Sequence, residues 1–142
     1  MRYLGLDLGT RTLGVSISDT TFTIASPLKT IRFEDSNYDS LLQKLLEIIK
    51  EYEVSKIILG LPKNMNNTMG ERCQTTIEFK KLLEDNFNIE IILQDERLTT
   101  VEATNYMLEA DISRKKRKKK IDSLAANIIL QTYLDKERGG KL

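Results

Sequence analysis

The stretch that decides the fold is Arg2-Tyr3-Leu4-Gly5-Leu6-Asp7-Leu8-Gly9-Thr10-Arg11-Thr12-Leu13-Gly14-Val15-Ser16-Ile17-Ser18. Leu4, Leu6 and Leu8 alternate with Tyr3, Gly5 and Asp7. After the turn Gly9-Thr10-Arg11-Thr12, Leu13, Val15 and Ile17 alternate with Gly14, Ser16 and Ser18. Period-two patterning on both sides of a short turn predicts an antiparallel hairpin with one apolar face. Phe22 to Ile31 reads as a third strand, bent or at an edge because Pro27 cannot donate to a ladder. Leu41, Leu42, Leu45, Leu46, Ile48 and Ile49 have helical spacing behind the cap candidates Ser36, Asp39 and Ser40. Lys56 to Leu61 is a short buried strand ended by Pro62, and Lys63 to Gly70 is a polar loop. A second helix runs to about Asp85, and Ile89 to Gln94 forms another buried strand. Thr99 with Glu102 is a capping box opening a third helix to Ala110. A last helix spans about Ile121 to Lys136. An antiparallel hairpin followed by right-handed βαβ crossovers gives an α/β fold, a mixed five-stranded sheet flanked by helices. One domain over residues 1–142 is expected.

The composition, 40% hydrophobic and 30% charged, is that of an ordinary globule. The longest purely apolar stretches, such as Ile57-Ile58-Leu59, fall far short of the roughly 20 residues a bilayer span needs. A single cysteine, Cys73, allows no internal disulfide framework. A cytoplasmic protein without a membrane partner is expected. The chain has no histidine. That removes Ser-His-Asp and Cys-His triads and the usual zinc sites. Catalysis must then come from carboxylates, hydroxyls, lysine or arginine, with a hard cation held by oxygen.

The net charge of +1 hides an asymmetry. Residues 1–110 carry 12 Lys and Arg against 17 Asp and Glu, whereas residues 111–142 carry 10 against 4. Seven of those ten are consecutive: Arg114, Lys115, Lys116, Arg117, Lys118, Lys119 and Lys120. Such a run on an acidic body suggests a surface for a polyanion, nucleic acid above all, although a solvated flexible loop explains it too. It lies one residue from Ile121-Asp122, where it can hold a phosphate backbone.

Three acids sit where core building does not ask for them. Asp7 lies at the carboxyl end of the first strand, where a lone buried carboxylate is costly unless paired or bound to metal; capping the next turn is the alternative. Asp122 falls within the apolar arc of Ile121, Leu124, Ala125, Ile128, Ile129 and Tyr133. Its structural alternative is an acid in the helix's first turn, favoured by the dipole. Asp95 and Glu96 follow the last strand on opposite faces, and periodicity alone does not choose between them. Open α/β sheets carry ligands beyond the carboxyl ends of their strands, where the first and last strands can be neighbours. Acids converging there without histidine make an all-oxygen site for Mg2+ or Mn2+. A pair of such ions activates water and stabilises the leaving oxygen in phosphodiester cleavage.

Gly5-Leu6-Asp7-Leu8-Gly9-Thr10-Arg11, Gly14-Val15, Gly60-Leu61-Pro62, Asp95-Glu96-Arg97-Leu98-Thr99-Thr100 and Asp122-Ser123-Leu124-Ala125-Ala126 resemble, in order, the YqgF family. These are bacterial ribonuclease H-like proteins regarded as nucleases of pre-16S rRNA and also called Holliday-junction-resolvase-like. The resemblance covers nearly the whole chain. It implies a ribonuclease H-like fold and a cytoplasmic, metal-dependent nuclease at the 5′ end of the 16S rRNA precursor, with a ribosome precursor as partner. It also implies Asp7, Glu96 and Asp122 as metal-binding acids, which selects Glu96 over Asp95. Related resolvases often carry a second acid one helical turn after the helix aspartate, where this chain has Ala125; substrate phosphates would then complete a second ion's shell. Arg11 and Arg97 are further phosphate-contact candidates, each equally able to pair with the acids.

Structured RNA is the favoured substrate, and branched DNA is the alternative for the same engine. A non-catalytic nucleic-acid or ribosome adaptor would need only the basic run. A sugar-kinase or actin-type phosphate module is suggested by Asp7-Leu8-Gly9-Thr10. It requires a second domain, for which 142 residues leave no room.

Overall fold

The computed structural model describes residues 1–34, 37–61, 71–95 and 114–139, with the side chains of 71, 72, 95, 114–123, 138 and 139 outside the description. The elements are β1 (Arg2–Leu8), β2 (Thr12–Ser18), β3 (Ala25–Arg32), α1 (Asp39–Tyr52), β4 (Val54–Leu61), α2 (Glu71–Asn86), β5 (Glu90–Asp95) and α3 (Arg114–Gly139). The sheet order is β3-β2-β1-β4-β5. β1 pairs antiparallel with β2 and parallel with β4, and β4 pairs parallel with β5. The mixed five-stranded α/β sheet expected from the hairpin and crossovers is therefore present. The expected neighbouring of first and last strands is not: β4 lies between β1 and β5. Local patterning cannot reveal this, because strand order is set by where the crossovers return.

The alternation in β1 and β2 divides two cores. Leu4, Leu6, Leu8, Leu13, Val15 and Ile17 join residues of α1 and α2, among them Leu41, Leu45, Ile48, Phe79 and Leu83, on one face. On the other, Ile58 packs with Ile129, Leu130 and Leu134 of α3. β4 is buried on both faces, and Ile57, Ile58 and Leu59 are each 0% exposed, which is why it reads as an unbroken apolar run. In α1 the row Leu41, Leu45, Ile48 is buried, as the helical spacing requires. Cys73 is buried in α2.

β3 is an edge strand, as Pro27 demands, and its register with β2 shifts between Val15 and Ser16, where Pro27 pairs. It begins at Ala25 rather than Phe22, because Asp19 organises the preceding turn. The Asp19 Oδ1 accepts from the Thr23 and Ile24 amides at 2.8 and 3.1 Å, and Phe22 takes a left-handed φ of 58°. The Thr21 hydroxyl and the Ile24 and Thr23 amides hold the Asp19 carboxyl at a pKa of about 2. α1 starts at the Asp39 of the cap candidates, yet its N-cap is Tyr38, without a side-chain cap bond.

The basic run is not a loop before a helix. α3 begins at Arg114, so Arg114 to Lys120 form its first two turns. A run of charged residues has no apolar period, and periodicity therefore misses it; Lys and Arg are nonetheless good helix formers. The expected helix from Thr99 to Ala110 and the loop from Lys63 lie outside the described residues. Among the described residues no helix is long and apolar enough to cross a membrane, which leaves strand-built spans unaddressed.

Candidate active site

Asp7 is the penultimate residue of β1, half-buried, on the α3 face with Tyr3 and Gly5. Its surroundings follow from register. Gly14 of β2 pairs with it directly. On the other side Gly60 follows Leu59, the partner of Leu6, and so stands at the level of Asp7. The carboxylate is thus flanked at its own level by two residues without side chains, a feature invisible until the register is known. Beyond Gly60 comes Gln94 of β5. Two strand spacings, about 10 Å, separate Asp7 from that level of β5. β1, β4 and β5 are parallel, so the chain leaving β5 toward Glu96 and Arg97 emerges at the sheet end that carries Asp7. Glu96 and Arg97 themselves lie outside the described residues.

The β1–β2 turn at this end is tight. The Gly9 amide donates to the Thr12 carbonyl at 2.8 Å. A Cβ at Gly9 would stand 3.1 Å from that oxygen and 3.2 Å from the Thr12 Oγ1. Arg11 is exposed at the hairpin tip, and its carbonyl accepts from the Phe33 amide at 2.9 Å.

α3 lies antiparallel to β1, and the two are matched step for step. At the amino end of β1, the Tyr3 hydroxyl donates to Glu137 Oε1 at 3.2 Å and its ring meets that of Tyr133 at 6.2 Å. One alternation further, a Cβ on Gly5 would lie 2.7 Å from the Leu130 Cβ and 2.9 Å from the Ala126 carbonyl oxygen. Only glycine permits this approach. Beside it Ser16, fully buried, donates its hydroxyl to the Ala126 carbonyl at 2.9 Å. The next alternation on β1 is Asp7, and the next turn of α3 toward its start brings the backbone to position 122. The Asp122 side chain is outside the description, but its place in the helix is not: it is the ninth residue of α3. A first-turn dipole role is thereby overturned, since that effect fades within one turn. Ala125, at the position of the absent fourth acid, is 1% exposed.

Among the described residues no three of Asp, Glu, Cys and His gather in a metal-binding group. Of the three predicted acids, only the Asp7 side chain is described. Sequence reasoning missed the seating of α3 by Gly5 and Ser16. The signal was there: both are small residues on strand positions facing away from the leucine core.

A family model described as "RuvX: Holliday junction resolvase" matches residues 1–136. The chain belongs to this family. Among RuvX relatives, a Geobacillus sp. (strain WCH70) protein named "Putative pre-16S rRNA nuclease" is 50% identical over 138 residues, covering 97% of this chain and 100% of that protein. A Clostridium botulinum (strain Hall) protein of the same name is 52% identical over 135 residues, covering 95% and 97%. In solved structures, T. thermophilus RuvC in complex with a Holliday junction substrate superposes with a TM-score of 0.62 at 12% identity, covering 98% of this chain and 96% of that one. The fowlpox virus resolvase bound to Holliday junction DNA gives 0.58 at 15% identity, covering 96% and 99%. These likenesses confirm the ribonuclease H-like fold, and RuvX membership places the chain in a family of nucleases.

Proposed function

We propose that this RuvX protein is a divalent-metal-dependent nuclease that processes the 5′ end of pre-16S rRNA in the cytoplasm, with Asp7, Glu96 and Asp122 as its metal-holding acids. The observation that carries this reading is the stepwise match of α3 to β1. Because Gly5 seats Ala126 and Leu130, Asp7 and position 122 are the next steps of two antiparallel elements toward the same sheet end. The substrate follows from the relatives at about half identity, which carry the pre-16S rRNA nuclease name over their whole lengths.

The donor set suits Mg2+ or Mn2+: carboxylate oxygens, no histidine, and a half-buried Asp7 flanked by glycines. Such ions, when bound, activate a water and stabilise the leaving oxygen. The chain's own part is to hold acids that otherwise repel one another and to bring phosphates to them. For the latter, Arg114 to Lys120 occupy the turns of α3 that precede Asp122, and Arg11 stands exposed at the hairpin tip, at the sheet end that carries Asp7. Arg97, next to Glu96, completes the phosphate contacts.

The test is cleavage of a precursor RNA with a 5′ extension in Mn2+ or Mg2+. Asp7→Asn is expected to reduce the rate more than ~100-fold while the melting temperature holds. Undiminished cleavage in that variant contradicts the assignment. The family's description favours a second reading, cutting of branched DNA. A four-way junction offered in competition separates the two, and faster junction cleavage would replace the RNA assignment.

A further inference from the structure

We propose that Arg32, with Thr30 behind it on β3, is a phosphate anchor that holds the RNA strand at the sheet end that carries Asp7, on the opposite side of Asp7 from β5. The inference rests on the nuclease reading for its substrate, and on register for its geometry.

Thr30 pairs with Gly14, and Gly14 pairs with Asp7, so the three form one row across β3, β2 and β1. Paired residues in a ladder share a face. Arg32 pairs with Thr12, one alternation beyond Gly14, and therefore lies on the same face as Asp7, one step toward the sheet end. The alternation is visible in burial: Ile31, between them, is 5% exposed and joins the leucine core, whereas Arg32 is exposed and Thr30 half-buried. The middle of the row, Gly14, is buried, and α3 packs on this face of β2 and β3, so the exposed approach to Arg32 runs along the sheet end, where Arg11 is exposed too, rather than over the row. Asp7 and Thr30 stand about two strand spacings, ~10 Å, apart.

Charge points the same way. Arg32 forms no ion pair with a described carboxylate; the ion pairs among the described residues involve Lys56 and Lys80. A guanidinium on an edge strand needs no partner for stability, but here it stands on the acid-bearing face, next to exposed Arg11 across the Phe33–Arg11 backbone bond. Arginine's planar fork binds phosphate in two-point fashion, and a threonine hydroxyl adds a neutral donor to the same oxygens. A backbone held there and by the first turns of α3 would cross the Asp7 end from both sides. This contact is not part of the sequence motif, since Arg32 lies outside every stretch that marks the family resemblance.

The experiment is a fluorescence-anisotropy titration of a fluorescein-labelled RNA hairpin with a single-stranded 5′ extension, in EDTA, at several salt concentrations. Arg32→Gln is expected to bind ~5-fold more weakly at 0.1 M salt and to lower the slope of log K against log salt by about 0.7, the release accompanying one single-strand phosphate contact. Arg32→Lys is expected to keep the slope. Lys44→Gln, an exposed α1 site across the sheet, removes the same charge and is expected to bind like the parent. Equal binding and slope for Arg32→Gln and the parent overturn the proposal, as does an equal loss in Lys44→Gln. Cleavage is scored separately with Mn2+. A parent that binds through Arg32 but does not cut would refute the nuclease reading and leave the anchor standing.

Discussion

Gly5 is the residue on which the placement of the helix acid turns. A methyl group there would meet the Ser16 Oγ at 2.3 Å, the Leu130 Cβ at 2.7 Å and the Ala126 carbonyl oxygen at 2.9 Å. Two of these atoms belong to the helix and cannot retreat without moving it. Overpacking of this kind costs typically 1–3 kcal/mol and sometimes more, so Gly5→Ala is expected to lose about 3 kcal/mol and roughly 8 °C in melting temperature. Differential scanning calorimetry checks this; an unchanged melt would mean that α3 is not seated where Gly5 meets Ala126. The variant that does fold is expected to cut more slowly, because lifting α3 carries position 122 away from Asp7. Gly5 was legible as one member of an alternating strand. Its role was not, because a glycine's reason lies in what approaches it, and here that is a helix more than a hundred residues later.

At the scale of elements, α3 is fastened at its far end and carries its charge at its start. Lys56 Nζ donates to the Tyr133 hydroxyl at 3.0 Å, lies 3.5 Å from Glu137 and 3.6 Å from Glu90, and stands 4.9 Å over the Tyr3 ring. Gln131 adds a two-way bond to the start of β3, accepting from the Ala25 amide at 2.8 Å and donating to the Thr23 carbonyl at 3.0 Å. Burial opposes the charge on Lys56, but the Tyr133 hydroxyl, Tyr3 and Glu137 outweigh it and raise the ammonium's pKa above its ordinary value. A raised lysine stabilises the fold fully below the unfolded pKa of about 10.4, and that stabilisation is lost as pH climbs through the folded value. Lys56→Met is therefore expected to melt lower than the parent at pH 8, with the difference shrinking above pH ~10.4. A gap that is constant with pH would deny the clamp its electrostatic part. The apolar stripe of this helix was plain in the sequence from Ile121 onward, but its first two turns were not. Seven cations have no period, and only the backbone reveals that they are wound into the helix that bears Asp122.

Across the whole molecule, the hairpin, the crossover order and the two-faced sheet were all readable, because each follows from local alternation or from the short reach of βαβ connections. Strand order was not, and it matters: with β4 between β1 and β5, Asp7 and the exit of β5 are two strands apart rather than adjacent. Asp7 was recognised by its type and place, while the glycines on either side of it, and the Arg32 on its face, needed the register. The family resemblance named Glu96 where periodicity could not choose between two neighbours. The central claim is that Asp7, Glu96 and Asp122, 115 positions apart from first to last, meet around divalent ions. Anomalous diffraction from crystals soaked in Mn2+ measures this directly. The account predicts a manganese peak bound to the Asp7 carboxylate, with oxygens of Glu96 and Asp122 completing the same cluster; manganese absent from Asp7, with the three acids facing separate regions of solvent, would contradict it.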